Sequence, residues 1–210
     1  MGSKGRARLL AAALVTMALA PGGASAAGGE MTSAESAALE AGRLVVREET
    51  IERDGHRYIG GVSYIVIDAP PEAVTATLDD VRTYKQILPR TRSVRLVALS
   101  RRGEALVELE QGNAIAHGKY TVRVRHDGSP SDRSSATVRF WLDRGYAHDL
   151  ADANGFFQVQ AHGDKTLLTC LVMVDLGPGI VGRLFEGKVR HAALSTPGLV
   201  KAYVESHPRT

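Results

Sequence analysis

The stretch Val66-Ile67-Asp68-Ala69-Pro70-Pro71-Glu72-Ala73-Val74 decides the fold. Its first two residues end a β-rich run that starts at Tyr58, and Asp68-Ala69-Pro70 stops that run. Pro71 suits the first turn of a helix, where a missing N–H is no loss. Val74, Thr77 and Leu78 then keep helical spacing. Asp79 or Asp80 caps a second short helix that carries Val81, Tyr84, Ile87 and Leu88 and stops before Pro89. An early strand is thus followed at once by two short helices.

Upstream, Leu44–Ile51 reads as a strand turning at Asp54-Gly55, and Gly60-Gly61 permits a bend in the returning strand. Downstream, apolar and polar residues alternate in Val94–Ala98, Ala105–Glu110, Tyr120–Arg125 and Ala136–Leu142. Phe156–His162 and Thr166–Leu176 form a last hairpin around Gly163-Asp164. Gly177-Pro178-Gly179 closes the sheet. Ile180, Leu184, Val189, Ala192 and Ala193 then give a wide apolar helical stripe, kinked or restarted at Ser195-Thr196-Pro197. The only large element available to cover one face of such a sheet is that C-terminal helix.

The Val66–Val74 segment, Leu78-Asp79-Asp80-Val81-Arg82-Thr83-Tyr84, Leu88-Pro89 and the C-terminal helix after its glycine-rich break resemble the START-like (SRPBCC) superfamily. That superfamily's helix-grip fold is shared with polyketide cyclases and coenzyme-Q-binding proteins. The resemblance covers roughly residues 44–206 and implies an α+β fold. A curved antiparallel sheet of about six to eight strands would wrap a long C-terminal helix. It specifies fold and is weak on chemistry, because such folds host carriers, receptors, cyclases and hydrolases alike.

The N-terminus carries Lys4, Arg6 and Arg8, then Leu9–Ala20, apolar except for Thr16, then Pro21-Gly22-Gly23 and Ala24-Ser25-Ala26. A positive start, an apolar run and small residues at the cut read as a secretory signal peptide of residues 1–26. Residues 27–43 are rich in Ala, Gly and Ser and read as a flexible spacer with one weak helical turn at Ser33–Leu39. Residues 44–206 make one domain. The expected product is periplasmic or secreted after cleavage near Ala26.

Composition narrows the function. The 210 residues include 26 Lys and Arg against 23 Asp and Glu. Removal of Lys4, Arg6 and Arg8 with the leader leaves 23 of each, so the overall basicity says nothing about nucleic acid. No long basic stripe is present, and no nucleic-acid partner is expected. One cysteine excludes an internal disulfide and a thiolate zinc site. No apolar run reaches the roughly 18 residues of a membrane-spanning helix.

No residue set demands an enzyme. No HExxH or His-x-His spacing appears, so no metal is expected, and nothing calls for a cofactor. Four histidines, His56, His117, His126 and His162, lie in turn-like positions and read as solvated. His191 with Asp175 could do acid–base work, though surface placement explains both. Glu108 and Glu110 share one strand face and could form a hydrolytic pair. The plainer reading is an outer ladder with Arg123, Arg125 and Arg139. Cys170, among apolar neighbours, reads as a buried inert thiol.

A sheet gripping a helix tends to leave a concave apolar space. The residues expected to line it are Tyr64, Tyr84, Val107, Leu109, Tyr120, Val122, Phe140, Val172, Leu184 and Val189. The tyrosines would offer polar handles. The resemblance and the export signal together imply a binding or carrier protein for an apolar or amphipathic small molecule. A lipid, a sterol or hopanoid, or a quinone would fit. The chain is expected to act as a monomer with transient membrane contact. Two alternatives stand beside this reading: a cyclase- or aromatase-like enzyme on a hydrophobic substrate, and a partner-binding module with a vestigial cavity.

Overall fold

The run after residue 44 forms β1 (Val45–Arg53), which turns at Asp54-Gly55 into the twelve-residue β2 (His56–Ile67). A computed structural model describes residues 30–100, 103–113, 117–127, 135–178 and 180–207, and of residues 180–182 the backbone only. The expected signal peptide lies outside the described residues. Gly60 and Gly61 have φ of +156° and +138°. A Cβ on Gly60 would meet the Val172 carbonyl, and one on Gly61 the Arg47 carbonyl, so both neighbouring strands close on bare backbone.

Helix α2 (Pro71–Asp79) follows, with a proline at its start, as the spacing predicts. The second short helix is a single 3-10 turn at Val81–Thr83 running into α3 (Tyr84–Ile87). Asp80 supplies the cap, its side chain accepting from the Arg82 backbone N–H at 3.0 Å.

Six strands follow: β3 (Thr91–Leu99), β4 (Ala105–Gly112), β5 (His117–Asp127), β6 (Ser135–Leu142), β7 (Asp152–His162) and β8 (Lys165–Asp175). With β1 and β2 they make one eight-stranded antiparallel sheet, ordered β1-β2-β8-β7-β6-β5-β4-β3. The second and last strands in sequence, β2 and β8, pair one strand in from the β1 edge. Two helices lie against them, α4 (Ile180–Leu194) and α5 (Thr196–Ser206). The break falls where the sequence places it. Ser195 does not cap α5, because its hydroxyl donates back to Ala192 O at 2.7 Å.

The core is uneven along this helix pair. Val200 and Val204 of α5 are buried with Val74, Leu78 and Ile87 of α2 and α3, so three helices fill one end of the curved sheet. Among the described residues, α4 has no such helical partners at the other end. It is held on one flank by Arg57–Glu186 at 3.2 Å and by Arg190, which reaches Glu48 at 3.0 Å and Thr50 at 2.7 Å.

Within the segment read as a spacer, the helical turn expected at Ser33–Leu39 is present. Ser33–Glu40 is a helix, α1, with a capping box between Thr32 and Glu35. Leu39 packs with Val45 and Val66 on the outer side of β1 and β2, and Arg47 Nε holds Glu35 at 2.8 Å. The alanines read as spacer composition form one short helix because both its cap and its docking partner are present.

The outer face of the sheet carries a charged ladder, with partners other than those expected. Glu108 pairs with Arg95 at 3.0 Å and Lys119 at 3.2 Å, and Glu110 with Arg92 at 3.5 Å. Arg123 pairs with Asp143 at 2.7 Å and Glu104 at 3.4 Å, while Asp127 lies between Arg125 at 2.8 Å and Arg139 at 2.7 Å. Register explains the change: Glu108 stands opposite Thr121, and Arg123 opposite Leu106.

Candidate ligand cavity

Where α4 lacks helical support, the concave face of the sheet encloses an open cavity of about 630 Å³. Leu109, Tyr120, Val122, Phe140, Phe157, Cys170 and Val172 wall it on the sheet side. Leu78, Tyr84 and Ile87 form its closed end, and Phe185, Val189, Ala192 and Ala193 of α4 cover it. The rings of Phe140 and Phe157 stand 5.8 Å apart at 42°, a tilted aromatic pair in the wall. Exposed Arg90, Asn113, His117, Asp149 and Lys188 stand at the rim.

Seven of the ten expected lining residues are on this wall: Tyr84, Leu109, Tyr120, Val122, Phe140, Val172 and Val189. Three are elsewhere. Tyr64 is on the outer side, under α1, with Arg47 5.8 Å from its ring centre. β2 is buried on both faces, so its apolar pattern could not say which face Tyr64 takes. Val107 is in the dry core at 0% exposure. Leu184 is 72% exposed. Phe185, one residue on and about 100° round the helix, takes the inward place, in step with Val189 and Ala192.

The expectation also missed Gln111 and Phe157. Gln111 continues the Val107–Leu109 alternation by one more step, so the period could have found it. Phe157 lies opposite Val138 and Cys170, a neighbourhood that only the pairing of β6, β7 and β8 reveals.

Inside the cavity the titratable groups are held protonated. Burial pushes the Cys170 thiol up to about 12, and raises the Tyr84 and Tyr120 hydroxyls above their ordinary range. The Tyr84 hydroxyl donates to Leu78 O at 2.9 Å in a buried bond, so its polar end is turned into the fold, unlike the part-buried Tyr120 hydroxyl. The Tyr120 hydroxyl donates to Gln111 Oε1.

The acid–base candidates stand outside the cavity. Asp175 is 2.7 Å from His56 Nδ1, so the turn histidine, not His191, takes that carboxylate. His126 likewise meets Asp79 at 2.9 Å, and His162 meets Glu40 at 3.4 Å. The hydrogen bond from Arg95 holds the Glu108 carboxyl below its usual range, which unfits it as a general acid. Among the described residues no group of His, Cys, Asp or Glu could hold a metal ion, and no helix is long and apolar enough to cross a membrane.

No protein-family model matches the sequence, and no curated protein matches it. Solved structures do match the fold. A STAR-related lipid transfer protein from Xanthomonas axonopodis superposes with a TM-score of 0.64 at 15% identity, over 77% of this chain and 93% of that one. Human STARD10 gives 0.57 at 10% identity, over 78% and 74%. The ZhuI aromatase/cyclase of Streptomyces sp. R1128 gives 0.55 at 17% identity, over 80% and 98%. The sheet, the paired C-terminal helices and these superpositions establish that the chain has the START-like, SRPBCC-type helix-grip fold.

Proposed function

We propose that the chain is an exported carrier of an apolar or amphipathic small molecule such as a lipid, a sterol or hopanoid, or a quinone. The observation that carries this reading is the open cavity of about 630 Å³ walled by aliphatic and aromatic side chains, its charged groups among the described residues standing at the rim. A tail buried there gains about 0.8 kcal/mol per CH₂ without any charged partner. The open volume argues against a vestigial cavity. The protonated Tyr84, Tyr120 and Cys170 argue for holding a ligand rather than moving protons on it. Similarity to a lipid transfer protein and to an aromatase/cyclase fits a hydrophobic ligand and leaves its identity open. Export rests on Lys4, Arg6 and Arg8, the Leu9–Ala20 run and Ala24-Ser25-Ala26.

The test is to express the full chain with its own leader, recover it from each cell fraction, extract it with organic solvent and identify what co-purifies by mass spectrometry. A stoichiometric lipid, sterol-like or isoprenoid compound on protein from the periplasm or medium is the expected result. An empty protein that also refuses labelled lipids, sterols and quinones overturns the carrier reading. Retention in the cytoplasm overturns export.

A further inference from the structure

One step inside the cavity rim, Gln111 and Tyr120 form a polar pair whose hydrogen-bonding capacity is nearly all used. The Gln111 amide nitrogen donates to Pro89 O at 3.1 Å and to Thr91 Oγ1 at 3.0 Å. Thr91 Oγ1 in turn donates to Leu88 O at 3.0 Å, so its proton is committed and it must accept from Gln111. Both acceptors therefore face the same amide nitrogen, which sets which end of the amide meets Tyr120: the oxygen. Tyr120 donates its hydroxyl proton to that oxygen. A carboxamide has two donors and a phenol one, and all three are engaged. What remains toward the cavity is acceptor capacity alone, on Tyr120 Oη and Gln111 Oε1.

From this we infer that the cavity selects an apolar molecule bearing a hydroxyl group, which donates to Tyr120 Oη or Gln111 Oε1. The inference rests on the carrier reading and narrows it to alcohols, sterols and phenols, the reduced quinol form included. Ketones, esters, ethers and quinones bring only acceptors. To bind one at this pair, Tyr120 must abandon Gln111 and leave a part-buried amide oxygen without a partner. Burial also keeps the phenol un-ionised, so the pair stays neutral at any physiological pH. The other polar groups on the wall do not oppose this choice. Arg90, Asn113, His117, Asp149 and Lys188 are exposed at the rim, where water competes for any ligand group. The Thr196 hydroxyl rotates to donate or accept and so discriminates neither way.

Matched probes test the choice while varying the apolar body: the secondary sixteen-carbon alcohol and its ketone, cholesterol and cholestenone, and α-tocopherol and its methyl ether. Each is titrated into the purified full chain. For any body that binds, the hydroxyl member is expected to bind about tenfold tighter or more. Gln111→Leu frees the Tyr120 proton, so the preference should shrink or reverse toward the ketone. Tyr120→Phe leaves the amide oxygen seeking a donor, so the hydroxyl preference should persist. Equal binding of both members by the wild-type protein overturns the inference and leaves the carrier reading standing. Failure of every probe overturns the carrier reading, and the inference with it. Should Gln111→Leu fail to fold, the wild-type pairs and Tyr120→Phe still decide.

Discussion

Phe140 lies directly over Gly155 of the neighbouring strand: a Cβ added at Gly155 would stand 2.6 Å from its ring. The same Cβ would strike the Leu171 carbonyl on the other side. Gly155 faces Phe140 on β6 and Val172 on β8, so one missing side chain lets the cavity's aromatic wall settle against the sheet. Gly155→Ala is therefore expected to destabilise the protein by about 1–3 kcal/mol, the range for overpacking a closed site. Urea denaturation reads this, and an unchanged midpoint would contradict the packing described.

Ala193 offers the opposite case. It lies on α4 facing the open volume rather than a filled core. Ala193→Phe should place a ring in that space and lower uptake of a labelled lipid about tenfold or more, a loss of roughly 1.4 kcal/mol. Its Tm should be retained, because little is displaced. Unaltered uptake would place the ligand elsewhere.

Glu35 reports on the docking of α1. The hydrogen bond from Arg47, aided by the Thr32 backbone N–H, holds its carboxyl at about 2, below the ordinary 4.5. A depressed acid contributes its stabilisation above the unfolded value and loses it as pH falls through the folded one. The bond tying α1 to β1 should thus be complete above about pH 4.5 and fail toward pH 2. An NMR titration of the Glu35 carboxyl should show the low midpoint in the wild type and a return toward 4.5 in Arg47→Met.

Cys170 is 1% exposed, and burial raises its thiol to about 12. The thiolate is the reactive form, so the folded protein should resist a thiol-labelling reagent at pH 8 and label fully in denaturant. A ligand filling the cavity should protect it further. Rapid labelling of the folded protein would show that the wall opens far more than the packing suggests.

Much of this was legible in the chain. The Val66–Pro89 segment announces a strand and two short helices because proline, aspartate and apolar spacing act over a few residues. Alternation placed Leu109, Tyr120, Val122 and Phe140 on one face, and the inert thiol followed from its neighbours. What the period cannot say is what covers a face. Tyr64 sits in a strand buried on both sides, and only the docking of α1 assigns it outward. Leu184 and Phe185 share one apolar stripe, and the rotation of α4 set by Arg57–Glu186 and Arg190–Glu48 decides which of them looks in. His56 and Asp175 are 119 residues apart, and no local pattern could pair them. The sequence by itself determined the elements, their order and the inward face of the alternating strands β4, β5 and β6, because those follow from short-range sterics and hydrophobic spacing. Only the tertiary structure decided that one end of the sheet is filled by three helices while the other stays open, because that depends on long-range packing.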